Sequence, residues 1–570
     1  MNWKKYVWVL TMFVGACIIG LFYARYALYI NTVWELPDEY GYLANAAYLS
    51  GTKWSPLSNM YYGYGYSLLL IPFFLIGAKG TTVIRGALLV NAVCIVATYL
   101  IQIGLISKIC KTLNKYVVIL IAFVLSFYPY LMASDVKVLS EPLLSLMIWL
   151  CGLVLYKAVE TKKGYWYSLL ALCMAYTFFV HTRSFVFIGT WMLVLVLMTI
   201  LKEIDWRHLL LFFALFIAFY FVGYEVKNVL IANVYSNVVG TDTSQGTTVV
   251  NVLGIEMILG RIKALFSGEF TLYLYSVVCK FFYLAVATVG TWQIGVYAVV
   301  RDCLSKWKQH ARLSATGWVK VCFVLASFMM ICATTVSSPG RLNAVAFFFY
   351  GRYYEYLVLP VAAIGLEYFI KNRMHWKVHL IHIGTVLASG VIAQSMYQLL
   401  DSEEVSIDIF RMSSFSGLLA NEIKYQELIW GYLLITVVAM LIGAVLNYKE
   451  SVSWLFLLVI LAGFAFNNKA ISELVVEISE SSLPDNAIVE YVLENVDEEQ
   501  VYYLDSRYIS YTTKMQVLLG VKQLVVIDIE DLENISAKYL LVQTSSRYKE
   551  QLSEFEKVKS GYYFELYYIP

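Results

Sequence analysis

Long apolar runs, each closed by lysines, arginines or other polar residues, follow one another along the chain up to residue 467. They occupy 6–23, 83–106, 116–133, 143–156, 165–180, 185–201, 209–221, 276–300, 318–336, 356–370, 380–400, 428–446 and 453–466. A helix that crosses a bilayer needs about 20 predominantly apolar residues. The pattern therefore predicts a polytopic α-helical membrane protein with about 13 transmembrane helices. Beyond residue 467 the period changes. Short stretches at 501–504, 524–527, 539–542 and 563–568 predict strands, and 486–495 and 547–557 predict helices. That alternation predicts a small α/β domain over 468–570, following a transmembrane domain over 1–467.

Three connections between runs are long: 24–82, 222–275 and 401–427. In the first, Pro37, Asp38 and Glu39 mark a helix start, because proline presets the backbone and acids suit the positive end of the helix dipole. Ser50-Gly51 marks its end. Tyr40, Leu43, Ala44 and Ala47 fall on one side, as in a helix lying on the membrane surface. Tyr61, Tyr62, Tyr64 and Tyr66 read as an interfacial aromatic belt. In the second connection, 240–246 (GTDTSQG) reads as a mobile stretch.

Composition excludes several classes. Of 570 residues, 60% are apolar, 16% aromatic and 14% charged. Soluble domains carry about a quarter charged residues, so a soluble globular protein, a disordered chain and a basic nucleic-acid binder are ruled out. The net charge of +2 conceals an uneven distribution: 468–570 holds 18 acidic against 9 basic residues. Lysines and arginines collect in alternate short loops, at Lys4 and Lys5, at Lys108, Lys111 and Lys115, at Lys162 and Lys163, and at Lys202 and Arg207. The same side receives Arg301, Lys306, Lys308 and Arg312, then Lys371, Arg373 and Lys377. The positive-inside rule puts these loops and the N-terminus in the cytoplasm, and an odd number of crossings puts the acidic tail outside. The first apolar run continues past Val14-Gly15-Ala16-Cys17 and reads as an uncleaved span rather than a signal peptide. None of the nine cysteines has metal-ligand spacing, so neither a disulfide framework nor a zinc site is expected. A Walker A sequence is absent, which argues against an ATP-driven transporter.

Ionisable residues inside a membrane are costly and mark function, yet the apolar runs are nearly clean at their centres. Charges gather instead at the outer ends: Asp38, Glu39, Arg85, Asp135, Lys137, Glu141, Arg183, Arg341 and Arg352. A transporter would carry buried charges near the midplane, whereas this arrangement suits chemistry at the outer interface. Each residue also has a plain structural reading. Asp38 and Glu39 suit a helix start, Glu141 caps the run opened by Pro142-Leu143, and Arg85 and Arg183 suit snorkelling anchors. Arg341 falls in a Ser-Ser-Pro-Gly turn, His181 suits an interfacial histidine, and Tyr353 suits the aromatic belt.

Trp34-Glu35-Leu36-Pro37-Asp38-Glu39-Tyr40-Gly41-Tyr42-Leu43-Ala44 resembles the acidic signature in the first external loop of GT-C glycosyltransferases. Within that superfamily the similarity is to the protein O-mannosyltransferases and the bacterial lipid A aminoarabinose transferase. Ile84-Arg85-Gly86 with Asn91 is similar to the arginine motif opening their second span, and Val138-Leu139-Ser140-Glu141-Pro142-Leu143 to their second acidic motif. His181-Thr182-Arg183 and Gly351-Arg352-Tyr353 also resemble family patterns. The second motif has glutamate where some relatives have aspartate.

The resemblance implies a bacterial plasma-membrane, multi-pass, inverting glycosyltransferase, with a cytoplasmic N-terminus and an extracytoplasmic C-terminal domain. The implied donor is a sugar on a polyprenyl phosphate; the acceptor is a hydroxyl of a lipid, wall polymer or protein; no cofactor, metal or nucleic acid is implied. A carboxylate must take the acceptor's proton: Asp38 is the candidate base, with Glu39 or Glu141 orienting or substituting. Arginine suits the departing phosphate, because its planar fork pairs with two oxygens and stays charged. Arg85, Arg183 and Arg352 are the candidates, with Arg341 behind them and the Tyr353 hydroxyl nearby. The rival readings are a lipid-linked glycan flippase or polymerase, and a non-catalytic scaffold whose acidic tail binds partners.

Overall fold

The computed structural model describes residues 3–34, 38–58, 60–110, 113–235, 263, 270–336, 348–395, 409–419, 423–504, 509–535 and 538–570. The expected helix start at Pro37, the stretch 240–246 and Arg341 lie outside them.

Among the described residues, ten helices are long and apolar enough to cross a membrane, and the pair Lys115–Leu125 and Pro129–Asp135 meets the same criterion only when taken together across a bend of 52°. The bend falls where Pro129 opens the second helix, since proline cannot donate to the preceding turn. Gly164–Val180 and Val358–Lys371 are shorter helices in the two remaining predicted windows. The chain is a multi-pass membrane protein. Leu193, Ile200, Val222 and Val445 stay exposed on helix outer faces, as suits a hydrocarbon solvent.

One window is corrected. The expected single span 276–300 is two helices, Phe270–Thr288 and Thr291–Lys308. The backbone turns left-handed between them, at Val289 (φ 49°) and Gly290 (φ 76°), and the Gly290 N–H donates to the Ala285 carbonyl at 2.8 Å, closing the first helix. In the sequence the turn is marked by Gly290 among Thr288, Thr291 and Gln293, interruptions that an apolar window averages away. The second helix then crosses Val358–Lys371 at nearly backbone contact. A Cβ on Gly365 would lie 1.9 Å from the Thr291 carbonyl oxygen, and one on Gly295 would lie 2.1 Å from that of Val361. Only glycine permits that approach.

The first connection is also more deeply packed than a surface helix with an aromatic belt. The helix Asp38–Leu49 is buried on every side from Glu39 to Ala47. Tyr66 is fully buried with its hydroxyl donating to Asn91 Oδ1 at 2.9 Å, and Tyr64 donates to the Gly223 carbonyl at 3.1 Å. Tyr64 and Tyr66 are therefore core residues whose hydroxyls have found partners, as buried tyrosines must, and not members of an interfacial belt, while Tyr61 and Tyr62 are half-buried.

The tail is a five-stranded mixed sheet in the order β2-β1-β3-β5-β4. Its strands are β1 (Gln500–Leu504), β2 (Gln523–Ile527), β3 (Tyr539–Gln543), β4 (Glu556–Ser560) and β5 (Phe564–Tyr568). β1 runs parallel to β2 and β3, while β5 is antiparallel to β3 and β4. Two elements differ from expectation. Residues 547–554 form turns and then enter β4 instead of making a helix, and the helix Ile509–Leu519 was not anticipated. Period-two alternation gives each face of the sheet its own partner: Tyr503, Leu541 and Leu566 join the core of the membrane body, while Leu540, Val542 and Tyr567 form a separate small core. The domain is seated on the first connection, where Trp54 Nε1 donates to the Gly520 carbonyl at 2.7 Å and Ser55 Oγ to that of Leu524 at 2.6 Å.

Candidate active site

Two helix starts and two short turns meet at one point. Asp38 opens the helix Asp38–Leu49 and Glu141 opens Glu141–Thr161, so each acid sits at the positive end of a helix dipole. Arg183 lies in the turn Thr182–Ser184 and Arg352 in the turn Gly351–Tyr353, each just before a further helix. Arg352 bridges both acids: its Nη2 is 2.5 Å from Asp38 Oδ2 and its Nε is 2.8 Å from Glu141 Oε1. Arg183 Nη2 lies 2.6 Å from the same Glu141 oxygen.

The three acids are held differently. Glu141 is fully buried between two guanidiniums and acts as their counter-ion. Glu39 is also fully buried; its Oε2 accepts from the Trp34 N–H at 2.6 Å and its Oε1 from the Val138 N–H at 2.8 Å, tying the first connection to the loop before Glu141. Asp38 is different, with a side chain 22% exposed. It is the carboxylate of the three that a second molecule can reach.

Arg183 retains capacity. Its Nε and Nη1 are buried without hydrogen-bond partners among the described residues, as is Glu141 Oε2. Its guanidinium lies 5.3 Å from the centre of the Tyr353 ring and 5.7 Å from that of Tyr356. Tyr353 packs on Tyr350 at 4.1 Å, and Arg411 lies 5.5 Å from the Tyr350 ring, so a pair of rings is flanked by a cation at each end. His181 Nδ1 accepts from the Arg183 N–H at 3.2 Å. Burial, with the Arg183 guanidinium beside it, pushes His181 well below the usual histidine range, which leaves it neutral and able to accept.

Of the residues singled out in the sequence, Asp38, Glu39, Glu141, Arg183, Arg352 and Tyr353 thus surround one place. Arg85 stands apart: it is exposed on the helix Gly80–Ile109 and makes no ion pair among the described residues. Asp135 is also elsewhere, fully buried, in the neighbourhood of Tyr23, Tyr66 and Cys94.

Glu355 and Arg411 were missed. Glu355 follows Arg352 by three positions, and that proximity to Gly351-Arg352-Tyr353 was its signal in the sequence. Its fully buried Oε1 accepts from the Tyr128 hydroxyl at 2.7 Å, the Tyr283 hydroxyl at 3.1 Å and Ser414 Oγ at 3.4 Å. Three separate segments are thereby fixed to the turn that carries Arg352. Burial pushes the Glu355 carboxyl up to about 7, against the pull of the donating hydroxyls. A raised carboxyl pKa stabilises the fold fully below the ordinary value, and the contribution is lost as pH rises to about 7. Glu355 therefore lowers stability at pH 8 relative to pH 5, while the buried neutral His181 acts in the opposite direction below the ordinary histidine range, so the difference between wild type and a Glu355 variant is the readout. Glu355→Gln should flatten that dependence, removing a contribution on the order of 3 kcal/mol; an unchanged slope would refute this.

No family model matches the sequence, and no curated protein does. The fold does have solved counterparts. ArnT from Cupriavidus metallidurans bound to undecaprenyl phosphate superposes with a TM-score of 0.53 at 11% identity, over 98% of this chain and 97% of that one. The apo state of the same protein gives 0.50 at 12% identity, over 99% and 98%. With its membrane helices, its acidic helix Asp38–Leu49 and its C-terminal sheet domain, the chain has the polytopic GT-C fold of the lipid A aminoarabinose transferase ArnT.

Proposed function

We propose that the chain is an inverting glycosyltransferase that moves a sugar from a polyprenyl-phosphate donor to an acceptor hydroxyl at the outer face of a bacterial plasma membrane. The observation that carries this reading is the shared ion-pair cluster, in which one partly exposed carboxylate, Asp38, sits against arginines that are themselves anchored by a buried one. ArnT, whose fold the chain shares end to end, binds undecaprenyl phosphate in its solved structure, and a lipid phosphate is the chemistry that this cluster suits.

Arg183 has two nitrogens unused, and Arg352 is divided between Asp38 and Glu141. A phosphate drawing on Arg352 weakens its hold on Asp38 as the donor binds, so the base is released only when its substrate is present. Asp38 then accepts the acceptor hydroxyl's proton while the oxygen attacks the anomeric carbon from the face opposite the phosphate. The C–O bond to phosphate breaks, and the electron pair leaves with the polyprenyl phosphate. Fixed guanidiniums stabilise that charge without reorganising. Glu141 holds both arginines in place, and Glu39 holds the two loops together. Purified protein given an undecaprenyl-phosphate-linked sugar mixture is expected to release undecaprenyl phosphate; no release with any sugar and acceptor extract would overturn the reading.

Loop charge supports an extracytoplasmic tail and a cytoplasmic N-terminus. Ser545 is exposed on the sheet domain, so Ser545→Cys is expected to react with a membrane-impermeant thiol reagent on intact cells. Reaction only after lysis would reverse the orientation and the side of the chemistry.

A further inference from the structure

A groove of about 960 Å³ runs between the helices Phe270–Thr288, Thr291–Lys308 and Trp376–Ser395, and shares no residue with the acid–arginine cluster. Its floor is aromatic, built from Phe281 and Trp292, and its walls are apolar along Val296, Val300 and Leu304 on one side and Ile381, Ala388 and Ile392 on the other. The wall from Ile381 to Ile392 covers about 16 Å at 1.5 Å per residue, the reach of most of an acyl chain. Charge is confined to one end. Arg301, Ser305 and Lys308 line the groove there, and the Arg301 guanidinium is steadied by the Tyr368 hydroxyl, to which it donates. Arg301 and Lys308 are exposed, as are Val300, Leu304, Ile381 and Ile392.

Phe270–Thr288 and Trp376–Ser395 are long and apolar enough to cross a membrane, and the exposed Val300, Leu304, Ile381 and Ile392 give the groove an apolar rim. Gln293, His382, Thr385 and Ser389 interrupt the lining, but most of it is apolar and suits a lipid tail better than water. The two cations at the mouth lie where the sequence places the basic loops, and basic pockets between transmembrane helices select anionic head groups. We propose that this groove is a specific site for one phospholipid with an anionic head group, its phosphate between Arg301 and Lys308 and one acyl chain along the Phe281–Trp292 floor. The site is independent of the transfer reaction, because none of its lining residues touches Asp38, Glu141, Arg183 or Arg352.

The test is native mass spectrometry of the full chain in detergent after titration with phosphatidylglycerol or phosphatidylcholine of matched acyl chains. The wild type is expected to retain one phosphatidylglycerol at least ten-fold more strongly than phosphatidylcholine. The double variant Arg301→Gln, Lys308→Gln should lose the preference, and Ala388→Trp, which fills the groove from an exposed position, should lose the bound lipid while keeping both cations. Melting temperatures near wild type keep both variants interpretable, and if one fails to fold the other still decides. Equal retention of the two lipids by the wild type, retention unchanged in either folded variant, or displacement of phosphatidylglycerol by undecaprenyl phosphate at equal concentration would each overturn the proposal.

Discussion

Asp38→Asn is expected to give a folded protein that binds the polyprenyl phosphate and transfers sugar about 10²–10⁴-fold more slowly than wild type. Asparagine is nearly isosteric and still accepts a hydrogen bond, so the helix Asp38–Leu49 keeps its start. Loss of the dipole interaction alone would cost about 0.3–1 kcal/mol. Asp38 is partly exposed, and its buried partner Arg352 keeps its contact with Glu141 when Asp38 is neutralised. The loss should therefore appear in turnover and not in the melting temperature. A variant with near wild-type transfer would remove Asp38 as the base.

Glu141→Gln is expected to fail in the opposite way, by misfolding. Glu141 Oε1 takes Nη2 of Arg183 and Nε of Arg352 at a site with no solvent access. Removing that charge leaves two buried guanidiniums facing each other, and breaking a buried ion pair by deleting one partner costs about 3–5 kcal/mol. Total stabilities are commonly only about 5–15 kcal/mol, so yield and melting temperature should both fall sharply. Glu141→Asp, which keeps the charge, should recover part of the loss. The check is detergent melting of all three proteins side by side. A Gln variant as stable as wild type would mean that the arginines do not depend on Glu141.

The contrast explains what the sequence does and does not disclose. Apolar windows reveal helices because burial in lipid demands them, and twelve of the thirteen expected spans meet a helix or a bent pair; only 276–300 hides a left-handed turn. Charged residues at window edges singled out Asp38, Glu141, Arg183 and Arg352, which the fold brings into one ion-pair cluster. The same signal included Arg85, which differs only in the direction its helix turns it: its neighbours Ile84 and Gly86 are buried and Arg85 is not. Facing is a property of packing, invisible in a single window. Glu355 and Arg411 escaped because their partners, Tyr128, Tyr283, Ser414 and Tyr350, come from remote segments. In the tail, β4 reads Glu-Lys-Val-Lys-Ser on an edge strand and carries almost no apolar period, which is why no strand was expected there.

The most direct measurement is equilibrium binding of undecaprenyl phosphate to the purified wild type, Asp38→Asn and Arg183→Lys. Arg183 offers the phosphate two buried nitrogens, Nε and Nη1, that have no partner among the described residues, and lysine keeps the charge while losing that fork. If the cluster holds the donor's phosphate, Asp38→Asn should bind at least as tightly as wild type, because the acid competing for Arg352 is gone, and Arg183→Lys should bind at least ten-fold more weakly. Equal binding by all three proteins, or no binding by the wild type, would contradict the account.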